Sequence, residues 1–212
     1  MSASNFAHLH VHTEYSMLDG AARVSDLVTE AAKQNMPAVA MTDHGNLFGA
    51  FDFYKQAKKA GIKPIIGIES YVAPESRFDK KRVQWASGGD DDVSGGGAYT
   101  HMTILAENND GLANLYRLSS LSSLEGFYYK PRIDRELLSK YGKGLIATTG
   151  CPGGEIQTRL RMGNYKEALK AAAEFRDLFG EGNFFVELMN HDLEIENRVK
   201  ADLLKLAKEL NL

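Results

Sequence analysis

The feature that most limits the fold is an alternation of short apolar runs with amphipathic helical patterns along this 212-residue sequence. Several of the apolar runs are rich in Ile, Val and Phe, which is typical of parallel strands that are covered on both faces. The predicted strands are 7–12, 38–42, 64–72, 100–106, 144–148 and 183–189. The predicted helices are 24–35, 48–60, 111–124, 165–179 and 194–210. This order of elements indicates an α/β fold, built either as a barrel or as a doubly wound sheet.

Two segments interrupt the alternation. Residues 75–99 join a basic cluster to a run rich in glycine and aspartate, and such a run predicts a mobile surface loop. The cluster comprises Arg77, Lys80, Lys81 and Arg82. Solvation of the loop explains these cations, and contact with phosphate is the alternative. Residues 127–132 combine aromatic side chains with Lys130 and Arg132.

The composition narrows the class of protein. The formal net charge is −3 and the pI is about 6.1, so the chain lacks the basic excess of a free-standing nucleic-acid binder. Any contact with a polynucleotide is therefore expected to be local, or shared with other parts of a larger protein.

The compartment can also be predicted. Cys151 is the single cysteine, which fits a reducing compartment. No secretory signal opens the sequence, and no apolar stretch approaches the ~18 residues of a membrane helix. We therefore expect a cytoplasmic protein without a membrane partner.

The end of the sequence bears on the number of domains. The last predicted helix, 194–210, has no strand after it, whereas each helix of a closed barrel lies between two strands. We therefore expect residues 1–212 to form one domain that is an incomplete fragment of a longer protein.

Three histidines alternate near the start of the sequence, at His8, His10 and His12. Residues two apart on a strand point to the same face, so His10 and His12 can converge on one ion. Neutral imidazole suits zinc, manganese or iron. The pair alone is equally consistent with a solvated strand.

Further ligand types recur in the turns after the predicted strands and within them. They are Asp19, His44, Glu69, His101 and Cys151. Active sites of α/β barrels gather at the carboxyl ends of the strands, so these positions are expected to meet in space. A mixture of imidazole, carboxylate and thiol fits zinc or manganese better than magnesium or calcium.

Each of these residues also has a structural explanation. Cys151 alone can be a small buried apolar residue, His101 a core histidine, and Asp19 a turn former or helix cap. Glu69 is the hardest to explain in this way, because a charge inside an apolar strand needs a partner. Asp43 is expected to form a turn or to support neighbouring groups, and His191 to start a helix.

Five sequence motifs resemble the polymerase and histidinol phosphatase (PHP) family, and more narrowly the PHP domain of bacterial DNA polymerase III alpha subunits. They are His8-Leu9-His10-Val11-His12-Thr13-Glu14-Tyr15-Ser16-Met17-Leu18-Asp19-Gly20, Thr42-Asp43-His44-Gly45-Asn46-Leu47-Phe48-Gly49, Gly67-Ile68-Glu69, Phe127-Tyr128-Tyr129-Lys130-Pro131-Arg132 and Gly150-Cys151-Pro152-Gly153-Gly154-Glu155. The resemblance covers nearly the whole chain. It implies a distorted (β/α)7 barrel of parallel strands, here truncated before the last strand or strands.

The resemblance also implies a site for up to three zinc or manganese ions. By analogy His10, His12 and Glu69 hold one ion, Glu69 bridges to a second that His101 and Cys151 also hold, and Asp19 and His44 serve a third. Asp19 and Glu69 are then the catalytic carboxylates. His8 stands where many relatives carry aspartate, so it is not predicted to be a ligand.

The implied activity is proofreading, in which a metal-dependent 3′–5′ exonuclease cleaves the terminal phosphodiester of DNA. Lys130 and Arg132 are then candidates for holding substrate phosphates. The parent chain would be a DNA-directed DNA polymerase whose partners are the primer 3′ end, its own polymerase core, the sliding clamp and other replisome subunits. Two alternatives are a structural module that metal ions brace against the polymerase core, and a stand-alone phosphomonoesterase such as histidinol phosphatase.

Overall fold

The computed structural model describes residues 6–84 and 95–212, and within them the chain forms an open mixed sheet surrounded by helices. The strands are β1 (Ala38–Met41), β2 (Lys63–Val72), β3 (Thr100–Ala106), β4 (Arg132–Ile133), β5 (Leu145–Thr148) and β6 (Phe184–Phe185). The helices are α1 (Val24–Lys33), α2 (Ala50–Lys59), α3 (Asn109–Leu124), α4 (Arg135–Tyr141), α5 (Glu155–Arg161), α6 (Tyr165–Phe179) and α7 (Glu194–Leu210). Two 3₁₀ helices span Glu14–Asp19 and Gly95–Gly97.

The strand order is β1-β2-β3-β5-β6, with β4 beside the end of β2. β1 and β4 run parallel to β2, and β6 runs parallel to β5. β3 is antiparallel to both of its neighbours, and the sheet of the described residues does not close. The predicted α/β fold is confirmed, and an open sheet agrees with the expectation of a truncated barrel, but the expectation that all strands are parallel is corrected at β3. Parallel neighbours need a crossover, and no α-helix separates β2 from β3 in the described part of the chain.

The prediction of a strand over residues 7–12 is wrong, although these residues do lie beside β1. The carbonyl of His8 accepts from the amide of Ala40, and the carbonyl of Val11 accepts from the amide of Thr42, both at 2.8 Å. These bonds are three residues apart on the first segment and two apart on the second, so a regular ladder cannot continue. The contacts still bring His10 and His12 to the carboxyl end of β1.

The other predicted elements differ mainly at their ends. The strand expected over 183–189 is only the two residues of β6, and the helix expected over 48–60 is ten residues long. Three short elements, β4, α4 and α5, were not predicted, because two to seven residues are too few to show a period. Asn108 and Asp134 cap α3 and α4 with their side chains, which sets where these helices begin.

Two apolar clusters form the core. The larger packs β2, β3, β5 and β6 against α3 to α7, and the smaller packs β1 against α1 and α2. Gly67 lets β3 approach β2, since a Cβ atom there would lie 2.5 Å from a methyl carbon of Leu105. None of the helices within 6–84 and 95–212 is long and apolar enough to cross a membrane.

The segment expected to be a mobile loop, 75–99, lies partly outside the described residues, which omit 85–94. Its first part is anchored. Arg77 is buried, and its guanidinium donates to both carboxylate oxygens of Asp134 at 3.1 and 3.0 Å, to Glu125 at 2.7 Å and to Glu136 at 3.1 Å. The interpretation of Arg77 as a solvated cation is therefore wrong. Lys80, Lys81 and Arg82 are exposed, as expected.

Candidate metal centre

Glu69 is the centre of a cluster of ligand-type side chains. It lies in β2, its side chain is 1% exposed, and both of its oxygens face imidazoles. Oε2 lies 2.7 Å from Nε2 of His10 and 2.6 Å from Nε2 of His12, and Oε1 lies 2.7 Å from Nδ1 of His101. Burial alone would raise the pKa of Glu69, but hydrogen bonds from the three histidines outweigh it and hold the pKa well below its ordinary value.

Three overlapping groups of side chains offer ligand atoms that all lie within 4.8 Å of one another. They are His10, His12 and Glu69; His12, Asp19 and His44; and His44, Glu69 and His101. Asp19 is largely exposed, and its carboxylate lies 2.6 Å from Nε2 of His44. Glu69 is therefore a buried carboxylate at the centre of the cluster, and Asp19 is an exposed carboxylate at its solvent-facing side, which we call the mouth of the site.

Two observations show that these residues fit metal ions. The Nε2 atoms of His10 and His12 lie 3.3 Å apart, and two nitrogens about 2.0 Å from one tetrahedral zinc ion would be separated by about this distance. Nδ1 of His44 is buried and has no hydrogen-bond partner among the described residues, although it faces Glu69 at 3.7 Å. A buried imidazole nitrogen without a partner is available to a ligand.

Cys151 contacts Oε1 of Glu69, the oxygen that does not face His10. Its sulfur lies 3.1 Å from Oε1 of Glu69 and 3.4 Å from Nδ1 of His101. Burial and the charge of Glu69 raise the pKa of the Cys151 thiol well above its ordinary value. Without a metal ion the sulfur is therefore a protonated thiol, and it must lose its proton to become a ligand.

Glu187 is a member of the site that the sequence reasoning missed. Its carboxylate lies 2.6 Å from Nδ1 of His10, the nitrogen that faces away from Glu69, and it accepts from the hydroxyls of Thr103 and Thr148. Burial would lower the pKa of His10, but its hydrogen bonds to Glu187 and Glu69 raise it to about 10. The signal that could have revealed Glu187 is the same as for Glu69, an acidic residue inside an apolar run.

Asp43 supports the site from behind. It is fully buried and accepts from the amide and hydroxyl of Thr13, at 2.6 and 2.8 Å, and from the hydroxyl of Ser16 at 3.0 Å. These bonds fix the segment that joins His12 to Asp19. Met17 lies inside that segment with φ of 60°, outside the helical region, and so turns the chain toward Asp19.

The two remaining histidines lie outside the cluster. His8 is exposed and packs edge-on against Phe6, with ring centres 4.9 Å apart. His191 precedes α7, and its ring and amide both contact the Glu196 carboxylate at 2.7 Å. The helix-start interpretation of His191 therefore agrees with the structure.

The two candidate phosphate ligands have different positions. Lys130 is exposed, and its ammonium lies 5.5 Å from the ring centre of Tyr71, which stacks on His44. Arg132 is buried, and its guanidinium donates to four backbone carbonyls. These carbonyls belong to Arg77, Asp79, Ala98 and Gly126. The prediction that Arg132 holds a substrate phosphate is therefore wrong, because its donors are already used inside the protein.

Curated relatives match the whole of this chain. It is 61% identical over 221 residues to the DNA polymerase III subunit alpha of Saccharopolyspora erythraea and 56% identical over 215 residues to that of Mycobacterium leprae. The chain spans 18% of the length of each of these relatives.

Comparison with solved structures agrees with the fold. A protein of Bifidobacterium adolescentis, described as a candidate metal-dependent phosphoesterase, superposes with a TM-score of 0.55 at 18% identity, over 99% of this chain and 85% of the other. The model of the PHP domain family matches residues 8–191. Because this match covers most of the chain, including the buried carboxylate of Glu69 and the imidazoles around it, the chain belongs to the PHP domain family.

Proposed function

We propose that this chain is the PHP domain of a bacterial DNA polymerase III alpha subunit, and that its metal centre is a 3′–5′ exonuclease that proofreads the primer. The relatives' names support the first part. The observation that carries the second is the convergence of carboxylates, imidazoles and a thiol around Glu69. Residues that serve only to pack the core are mostly apolar. A cluster of titratable groups that can all act as metal ligands is instead typical of a functional site.

The proposed ligands divide into three sets around Glu69. His10, His12 and Glu69 would hold one ion; Glu69, His101 and Cys151 a second; and Asp19 with His44 a third. The mixture of nitrogen, oxygen and sulfur donors favours zinc or manganese. Divalent ions at such a site supply Lewis-acid chemistry, because they activate water and stabilise the charge that develops on phosphate oxygens.

The residues of the chain itself have separate tasks in the proposed reaction. Glu187 fixes the ring of His10 so that Nε2 faces Glu69, in the way that outer carboxylates orient ligating histidines. Asp19 is the carboxylate at the mouth, where it can accept a proton from water and pass it to solvent. Glu69 keeps a negative charge at the centre because its pKa is low.

The remaining parts of the proposal concern the longer protein. Its parent chain would be a DNA-directed DNA polymerase in the cytoplasm. The partners would be the primer 3′ end, the polymerase core of the same chain, and the sliding clamp and other replisome subunits outside this domain.

The test is degradation of a mismatched primer by the full-length subunit loaded with zinc or manganese. We expect His10→Ala and Asp19→Asn to lower the rate by at least about a hundredfold, since each removes a group from the reacting centre. His8→Ala is the matched control, because His8 lies two residues before His10 but outside the cluster, and it should keep the wild-type rate. Equal rates for wild type, His10→Ala and Asp19→Asn would contradict the proposal.

A second candidate function is a structural module that metal ions brace. It is favoured by the separation of the proposed ligands, since His10 and Glu69 are 59 positions apart. An ion on His10 would therefore fasten two distant parts of the chain. In that case removing metal would lower stability while the metal-loaded protein degrades no primer.

A further inference from the structure

A group of aromatic and cationic side chains lies on the rim of the metal centre, and we name it the tyrosine clip: Arg82, Tyr128, Tyr129 and Lys130. The rings of Tyr128 and Tyr129 have centres 4.5 Å apart. The guanidinium of Arg82 lies 5.0 Å over the ring of Tyr129. Arg82, Tyr129 and Lys130 are exposed. The proposed exonuclease chemistry assigns no task to the two tyrosines or to Arg82.

Tyr129 is held in a backbone conformation that it would not adopt by itself. Its φ is 62°, in the left-handed region that disfavours a bulky side chain. The amide of Tyr128 donates to the carbonyl of Lys130 at 3.1 Å, so Tyr129 stands at the tip of a tight turn. The residue is nevertheless 58% exposed. A strained turn that presents a large ring to solvent indicates a binding role more than a packing role.

The clip is continuous with the metal centre. The ammonium of Lys130 lies 5.5 Å from the ring centre of Tyr71, and the ring of Tyr71 stacks on His44 at 5.5 Å with an interplanar angle of 12°. A Cβ atom on Gly45 would lie 2.9 Å from both Pro131 and Tyr71. The loop that follows His44 therefore touches the loop that carries Lys130. Lys130 therefore lies beside the same tyrosine ring that stacks on His44.

The chemistry of the clip matches an unpaired polynucleotide strand. Exposed aromatic rings stack on bases whose faces are free, and neighbouring cations take the phosphates between them. A duplex hides the base faces and offers only phosphates to such a surface. The clip presents both kinds of group, an exposed ring at Tyr129 and cations at Arg82 and Lys130.

We infer that the tyrosine clip binds a single-stranded polynucleotide beside the metal centre, with a base stacked on Tyr129 and a phosphate on Lys130. The inference rests on the proposed function for the direction of the strand, whose 3′ end would point toward His44. It goes beyond that function because it assigns a substrate subsite and a preference for unpaired strands.

The test measures binding without hydrolysis. The 212-residue chain is titrated with a fluorescein-labelled oligothymidylate of about twelve nucleotides, which is long enough to cross the clip and whose linkages are phosphorothioate to resist cleavage. Fluorescence anisotropy gives the Kd at several salt concentrations. Tyr129→Asn removes the ring while keeping a residue that tolerates the left-handed region, and Tyr116→Asn is the control at an exposed tyrosine of α3. Lys130→Gln and its control Lys140→Gln remove one exposed cation each.

We expect Tyr129→Asn to weaken binding about tenfold and to leave the salt dependence unchanged, because stacking involves no counterion release. Lys130→Gln should reduce the slope of log K against log salt by about 0.7, the value for one phosphate contact on a single strand. The two control variants should bind as wild type does. The matching duplex should bind more weakly than the single strand.

Three results would overturn the inference: wild-type affinity in Tyr129→Asn, an equal loss in Tyr116→Asn, or equal affinity for duplex and single strand. Failure of the proposed function is seen separately. Hydrolysis of bis(p-nitrophenyl) phosphate, a small diester with no strand to bind, reports the metal centre alone. If the loaded protein does not cleave it while Tyr129→Asn still loses oligothymidylate binding, the clip stands and the exonuclease proposal does not.

Discussion

His10 is held between two carboxylates, and each contacts a different ring nitrogen. Nε2 lies 2.7 Å from Glu69 and Nδ1 lies 2.6 Å from Glu187. Burial disfavours a charged imidazole, but the two carboxylates outweigh it and raise the pKa of His10 to about 10. In the metal-free protein the proton on His10 therefore stabilises the fold at neutral pH, and this contribution is lost as the pH rises through about 10.

The first prediction concerns protons that leave when metal binds. Near pH 8 both His10 and the Cys151 thiol carry protons that a ligand atom must lose, so zinc binding should release about two protons. Metal affinity should accordingly rise with pH, because the proton and the ion compete for Nε2 of His10. Isothermal titration calorimetry in buffers of different ionisation enthalpy measures the number of protons.

The variant Glu187→Gln tests whether Glu187 keeps His10 protonated before zinc binds. The amide keeps the shape of the side chain but loses its charge, so the pKa of His10 should fall and about one proton fewer should be released. Glu181→Gln, at an exposed position, is the control and should behave as wild type does. Zinc binding that releases no protons, or a Glu187→Gln variant that releases as many as wild type, would contradict the account.

At the scale of elements, the site depends on how two short strands are fastened beside β2. β1 pairs with the first half of β2, and β4 pairs with its last two residues. β4 is only two residues long, so backbone pairing cannot hold it alone. Arg132 supplies the rest, because its guanidinium ties the carbonyls of Gly126 and Ala98 to those of Arg77 and Asp79.

The second prediction is that Arg132→Met destabilises the protein by about 3 kcal/mol or more, since it leaves several buried carbonyls without donors. The loss should appear as a lower midpoint in urea unfolding with an unchanged slope. Lys130→Met is the matched control two residues away, and because Lys130 is exposed its effect should stay within about 0.5 kcal/mol. An Arg132→Met protein as stable as wild type would show that water replaces the guanidinium at little cost.

At the scale of the whole molecule, the candidate metal centre joins parts of the chain that local structure leaves apart. Its residues precede and follow β1, lie within β2 and β3, and follow β5 and β6. The described sheet is open, so no closed ring of strands holds these ends together. Any ion that binds here adds links between the two apolar clusters of the core.

The third prediction is that chelation lowers the melting temperature. An ion present at about a hundred times its Kd stabilises the native state by about 2.7 kcal/mol, which corresponds to roughly 5–11 °C for a domain of this size. Differential scanning calorimetry with and without chelator measures the shift. His10→Ala should abolish most of it and His8→Ala should keep it. An unchanged melting temperature after chelation would exclude the bracing role.

The sequence by itself determined the chemistry that is available and the class of fold. Hydrophobic periodicity depends on neighbours within a few residues, so α1, α3, α6 and α7 could be located to within a few residues. The motifs around His10, Glu69 and Cys151 indicated which side chains would meet, and the structure brings them together. Their role as metal ligands remains a proposal.

Tertiary structure alone decided the direction of β3, the open sheet and the tasks of Glu187 and Arg132. Periodicity carries no information about which strands pair or in which direction, because that depends on contacts distant in sequence. Lys130 and Arg132 stand two residues apart, and the sequence gives no sign of which of them is buried. Four carbonyls accept from the guanidinium of Arg132, whereas Lys130 is exposed. The histidine pair at His10 and His12 indicated that an ion could bind, and only the fold showed that Glu69 and Glu187 hold His10 from both sides.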